Sequence, residues 1–314
     1  MFTQSLLGTD KLCPHMVNAF GLTSWRGWVL TGLIALDALS IAVALSAGSG
    51  NAIDLARLPL GDGKVSDAPQ RGYVYACSQP VSNLGAFRQG PWIRGDKSFD
   101  LTAKAVVDGS VSYASVFNQT LETTALRLTG NGLPSHPTGI YPIAATDDAY
   151  QFDRNPNRVR ELTLDYRLPA NPVIAARPSC LPGGAIGVML SGAVLYNALD
   201  AGGRDALAHE TQDACHGHPD PRGVYHYHSR SPCVEDRPSG QPTLLGYALD
   251  GYGIYSAYDT DGQPLTNADL DACHGRTSEV EWRGQRVKTY HYVATLEYPY
   301  TLGCFTGTPD LTRR

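Results

Sequence analysis

One phrase occurs twice in this chain. "DACHGH" at Asp213–His218 returns as "DACHGR" at Asp271–Arg276, and each copy is followed by Tyr-His-Tyr, at Tyr225–Tyr227 and Tyr290–Tyr292. A cysteine closes each copy, Cys233 in the first and Cys304 in the second. Such an echo demands two related supersecondary units. With one cysteine at the head of each and one at its tail, each unit is expected to close its own disulfide, Cys215–Cys233 and Cys273–Cys304.

That pairing presupposes an oxidising compartment, and the N-terminus supplies an argument for one. After Arg26, residues 28–45 read "WVLTGLIALDALSIAVAL", followed by the small residues of "SAGSGNA". A basic flank, an apolar run and small residues beyond it are the pattern of a secretory signal, with cleavage expected between Ser46 and Gly50. Met16 is the expected true start. The competing reading is an uncleaved membrane anchor at residues 28–45, since the run approaches spanning length. Against it, Asp37 at a bilayer centre costs roughly 2.5–3.5 kcal/mol on insertion scales. Residues 1–50 are therefore read as signal or anchor, and the chain as exported, periplasmic or extracellular. Of seven cysteines, Cys13 lies in this leader. The remaining six are then a disulfide framework, and once the two units have taken their pairs, Cys77 is left for Cys180.

Composition decides the fold class. In 314 residues there are 33 Gly, 21 Pro and 17 Tyr, with little sustained helical periodicity, which indicates a turn-rich, strand-rich protein. "ELTLDYRL" (residues 161–168) alternates apolar and polar positions as a half-buried strand does. "GYVYAC", "FDLTAKAVV", "VSYASVF" and "TTALRLT" read the same way, and a short helix is expected within residues 204–212. The expectation is a mainly β fold of antiparallel sheets, sandwich or barrel-like. Residues 51–120 would be an N-terminal β region, and residues 121–314 the main β domain carrying the units 213–233 and 271–304.

The net charge of −5 is dispersed, and no basic cluster stands ready to neutralise phosphates, so nucleic acid is not an expected partner. No nucleophile elbow, phosphate loop, dinucleotide fingerprint or HExxH motif is present, and no nucleotide cofactor is expected. "DTDGQPLTNADLD" from Asp259 lacks the glycine position and terminal glutamate of a calcium loop and reads as a hairpin turn.

The chemistry concentrates in "YHYH". On a strand His226 and His228 share one face while Tyr225 and Tyr227 share the other. Two imidazoles at i and i+2 present two nitrogens to one metal ion; the alternative is a buried hydrogen-bonded pair. A third ligand is sought in His218, which a Pro-Asp-Pro turn can fold back, in His136 on a Pro/Gly-rich loop, or in His291, the repeat-mate of His226. Asp213 and Asp250 are the available carboxylates; Asp250, with Tyr225 and Tyr227, is expected behind the ligands, or else Asp250 caps a tight turn. His216 and His274 rank lower, and His209 reads as a surface residue of the short helix. Histidine-dominated donors suit copper or zinc.

"GHPDPRGVYHYH", "GYALDGYGIY", "DLDACHG" and "YHYVATLEYPYTLGCFTGTP", with "NGLPSHPTGIYP" upstream, resemble the YHYH-domain proteins, an exported bacterial and algal family. The resemblance runs from about Leu128 to Pro309 and leaves residues 51–120 outside. It puts His136, His218, His226, His228, Asp250 and His291 at motif positions. Arg276 departs from the pattern, standing where a histidine equivalent to His218 often occurs, which implies one site and not two. The expected function is a secreted copper or zinc protein with a mononuclear histidine site that meets an extracellular ligand or substrate; an open coordination position would make it a catalyst, oxidative with copper or hydrolytic with zinc, and a closed one a staple. The alternative is a non-enzymatic binding or adhesion module whose tyrosines (Tyr247, Tyr252, Tyr255, Tyr258) form an exposed stacking surface.

Overall fold

The computed structural model describes residues 53–78, 85–234 and 241–312. The apolar run of residues 28–45, its flank and Cys13 lie outside the described residues. Among the described residues no helix is long and apolar enough to cross a membrane.

Strands dominate, as the residue types require. Four two-residue strands come first: β1 (Leu58–Pro59), β2 (Val65–Ser66), β3 (Val74–Tyr75) and β4 (Ser98–Phe99). β1 pairs with β4 and β2 with β3. An antiparallel three-stranded sheet follows, from β5 (Phe117–Leu121), β6 (Ala125–Gly130) and β7 (Leu164–Pro169). The alternation in "ELTLDYRL" thus becomes β7. "FDLTAKAVV" and "VSYASVF" do not become continuous strands. Only Ser98–Phe99 and Phe117 are extended in ladders there, because the chain between them finds single bridging partners, Val107 with Asp213 and Val111 with Thr138.

The main sheet has eight strands: β8 (Ala185–Met189), β9 (Val194–Tyr196), β10 (Gly217–Pro219), β11 (Tyr225–Tyr227), β12 (Leu244–Ala248), β13 (Gly253–Ser256), β14 (Gly275–Trp282) and β15 (Gln285–Ala294). Its order, β10-β11-β9-β8-β12-β13-β15-β14, reads as two equivalent halves back to back. β8–β11 and β12–β15 are the repeat, and they meet where Val188 faces Tyr247. These two residues are repeat-mates, so the pseudo-twofold passes between them. β8–β9 and β12–β13 turn alike: Gly192 and Gly251 both sit at φ 89°, and the amides of Met189 and Ala248 donate at 2.9 Å to the carbonyls of Ala193 and Tyr252. Only glycine enters that left-handed backbone region without steric cost.

The core unites these parts. Leu58, Val74, Trp92 and Phe99 from the N-terminal strands and loops are buried in one cluster with Val188, Leu195, Tyr227, Ile254 and Tyr292. Three disulfides hold it: Cys77–Cys180, Cys215–Cys233 and Cys273–Cys304. The pairing expected from the repeat is the one observed. α1 is a single turn, Ala206–His209, capped by Asp205, whose side chain accepts from the amide of Ala208. His209 is not a surface residue. It is 3% exposed, and its Nε2 lies 2.9 Å from Asp62 Oδ2, because the short helix ends inside the fold and not on it.

Candidate metal centre

The first copy of the phrase makes a hairpin. β10 and β11 pair so that His218 stands directly opposite His226, turned by Asp220–Gly223, where the Gly223 amide donates to the Asp220 carbonyl at 2.8 Å. The ring centroids of His218 and His226 are 4.5 Å apart, and His228, one residue beyond β11, lies 4.9 Å from His226. All three rings are almost fully buried. The side chains offer one nitrogen each within 4.8 Å of one another, a group that can hold a metal ion.

Two backbone carbonyls decide which nitrogens are free. Nδ1 of His226 lies 3.0 Å from the Val224 carbonyl, and Nδ1 of His228 lies 2.5 Å from that of Asn197. A carbonyl only accepts, so both Nδ1 atoms donate, and both neutral rings present a lone pair at Nε2. Those two Nε2 atoms face each other at 3.1 Å. Lone pairs so placed repel unless a proton or a cation lies between them.

A fourth group joins them. Oε2 of Glu210, just past α1, lies 3.3 Å from Nε2 of His218 and 3.4 Å from Nε2 of His228. Among the described residues that oxygen has no hydrogen-bond partner, and neither has either nitrogen of His218. Such orphaned buried atoms are rare without a compensating group. Burial lowers His226 to about 3, with His228 adding to the effect, and lowers His228 to about 4. It pushes His218 well below its ordinary range and Glu210 well above the usual carboxylate range. Neutral imidazoles are the form that ligates metal. A cation among them would return Glu210 to its ionised state.

The four groups line one side of a cleft of about 540 Å³ that Asn155, Asn157, Asp220 and Arg222 also border. Tyr196 on β9 forms a wall of it. Its ring stacks on His226 at 3.9 Å, and its hydroxyl donates to Asp220 and accepts from Arg222.

The opposite face of β11 is structural. Tyr225 donates to Asp213 at 2.9 Å, and Asp213 also accepts from the amides of Gly139 and Cys215. Tyr227 lies between Ser191 Oγ at 2.9 Å and His136 Nε2 at 2.5 Å. His136 therefore sits across the strand from the three histidines. Its other neighbours, Cys215 and Cys233, are tied in a disulfide. Asp250 holds no imidazole; it accepts from the Tyr292 hydroxyl and from the amides of Gly307 and Tyr252, which is the turn-capping alternative.

His291 is equally remote. Four strands separate β11 from β15, and at about 4.8 Å per strand that is roughly 24 Å. The pseudo-twofold runs through the sheet centre, so it sends the two hairpins to opposite edges instead of bringing them together. At the second edge Arg276 stands opposite His291, as His218 stands opposite His226, and donates to Asp259 at 3.0 Å. His216 and His274 are held in the left-handed backbone region, at φ 59° and 70°, by the turns of their phrases. Nor is there a tyrosine surface. Tyr247, Tyr252 and Tyr255 are 6%, 4% and 1% exposed, packed into the core, and Tyr258 is half-buried.

Sequence reasoning passed over Glu210 and Tyr196. The signal for Glu210 was the "HE" pair shortly before "DACHGH". For Tyr196 it was a further echo, in which Gly187, Gly192, Tyr196 and Asp200 recur in step as Gly246, Gly251, Tyr255 and Asp259.

Residues 165–265 match the family model described as YHYH protein. The match takes in Glu210 and all three clustered histidines and stops before the second phrase, a shorter reach than the resemblance at Leu128–Pro309. No curated protein and no solved structure matches the chain.

Proposed function

We propose that the chain is an exported protein that holds a single copper or zinc ion through Nε2 of His218, His226 and His228, with Glu210 as the carboxylate beside them. The observation that carries this reading is the pair of Nε2 lone pairs opposed at 3.1 Å, both fixed in that tautomer by backbone carbonyls. A hydrogen bond between two neutral imidazoles would need one of those nitrogens to donate, and in this tautomer neither carries a proton. Three imidazoles and an oxygen, without thiolate or thioether, are donors for copper(II) or zinc(II). Three disulfides and the hydrophobic N-terminal run support folding in an oxidising compartment.

The cleft leaves one side of the group open, as in sites that bind an exchangeable ligand and unlike closed structural sites. Bound there, such an ion supplies Lewis acidity as zinc or electron exchange as copper. The protein's own part is to keep the imidazoles neutral, buried and aimed.

Metal analysis of chain purified without a histidine tag is expected to find one equivalent. His226→Ala and His228→Ala are expected to abolish it, and Glu210→Gln to weaken retention by roughly 10–100-fold, the range for losing a group that supports metal ligands. An EPR signal separates copper(II) from zinc. Substoichiometric metal that is indifferent to these changes would refute the proposal.

A further inference from the structure

The cleft is not the only hollow at this site. A second one, of about 350 Å³, is lined by Leu164, Tyr166, Val194, Val224, Leu249 and Leu311. Its lining side chains are mainly aliphatic, where those of the first are mainly histidine, carboxylate and amide. Gly183, Gly184, Tyr196 and Arg222 line both, so the two hollows meet along one rim.

That rim is fixed from one side and open from the other. Tyr196 is pinned at its ring by His226 and at its hydroxyl by Asp220 and Arg222. The guanidinium of Arg222 is itself committed, to Asp220 at 3.1 Å and to Tyr196 at 3.0 Å, so the rim does not ask for an anion. Across from them nothing stands within 4 Å of where a Cβ on Gly183 or Gly184 would sit. A molecule can therefore lie over the glycines with one end at the histidines and the other among the leucines and valines.

From this adjacency, and resting on the metal reading above, we infer that the site takes a small amphiphilic ligand: an oxygen-donor head that coordinates the ion, carried on an aromatic or branched aliphatic body that reaches over the glycines into the second hollow. Small-molecule sites are mostly apolar with a few convergent polar groups, and here the two characters are divided between adjoining chambers. The body supplies binding energy and selectivity; the head meets the ion.

Calorimetric titration of the metal-loaded chain with two hydroxamates tests this. Acetohydroxamate carries only the head, while benzohydroxamate adds a phenyl body. Benzohydroxamate is expected to bind at least about tenfold more tightly, the gain from burying one such group. Gly183→Phe, which fills the junction, is expected to erase that difference while leaving metal content unchanged. Leu311→Ser, at the far wall, is expected to narrow it by a change remote from the glycine turn. Equal affinities on metal-loaded wild type, or a preference that survives both substitutions, overturn the inference and leave the metal reading standing. A chain that takes up no metal in a parallel titration overturns both.

Discussion

His274 shows what burial does to a single imidazole here. It sits in the second phrase, 2% exposed, with Nε2 at 3.0 Å from Thr295 Oγ1, and burial lowers it from 6.5 to about 3. The folded state thus holds it neutral where the unfolded chain would protonate it. The stability this contributes is present above pH 6.5 and is lost as the pH falls towards 3, at about 1.4 kcal/mol per unit. By pH 4.5 the loss is expected to reach about 3 kcal/mol from this residue alone. Denaturant titrations of wild type and His274→Asn between pH 7 and 4.5 check it: the variant's stability should fall less steeply, by the equivalent of one proton. Parallel slopes would show that His274 is not held neutral. Asparagine is chosen because it too tolerates the left-handed backbone at this position.

At the scale of elements, the strand alternation of "YHYH" was legible because side chains on a strand must alternate, whatever surrounds them. His218 was legible for a related reason: a Pro-Asp-Pro turn returns the chain antiparallel and sets position 218 against position 226. The disulfides followed from the repeat, and they need not contribute equally. Cys215–Cys233 closes a loop of sequence separation 18, and Cys77–Cys180 one of 103. On the chain-entropy account the shorter loop contributes about 3 kcal/mol and the longer about 4.7 kcal/mol. Cys77→Ser/Cys180→Ser is therefore expected to lower the denaturation midpoint more than Cys215→Ser/Cys233→Ser. The latter pair, which staples the phrase beside the three histidines, should show the larger loss of bound metal. Metal loss ranked the other way would mean that the staple does not hold the site. α1 was legible as a helix but not as a buried one. Four residues are too few to display an amphipathic face, so the sequence carries no periodicity from which to read the burial of His209.

For the whole molecule, the two halves of the sheet offer the same position twice. In the first half it is occupied by His218, His226 and His228; in the second, by Arg276, His291 and Val293. Nδ1 of His291 lies 3.2 Å from the Thr289 carbonyl, as that of His226 lies near Val224, and Tyr255 packs against His291 as Tyr196 packs against His226. Where the first half has a third imidazole, His218, the second half has a guanidinium paired with Asp259. Arg276→His combined with Val293→His is expected to bring a second equivalent of metal to the wild type's one, measured by metal analysis. A well-folded double variant with one equivalent would show that the equivalence does not extend from backbone to donor geometry.

The sequence by itself determined the β class, the three disulfides, the twofold repeat and the common face of His226 and His228. All of these depend on contacts within a unit or on the period of a strand. Only the tertiary structure decided that Glu210 lies against His218 and His228, that His136 and His291 stand apart from the three histidines, and that Tyr247, Tyr252 and Tyr255 are core. Those outcomes depend on strand order across the sheet, where one placement of the pseudo-twofold axis sends equivalent hairpins to opposite edges. Two identical phrases leave that placement unspecified, because the packing that selects it is shared among residues far apart in the chain.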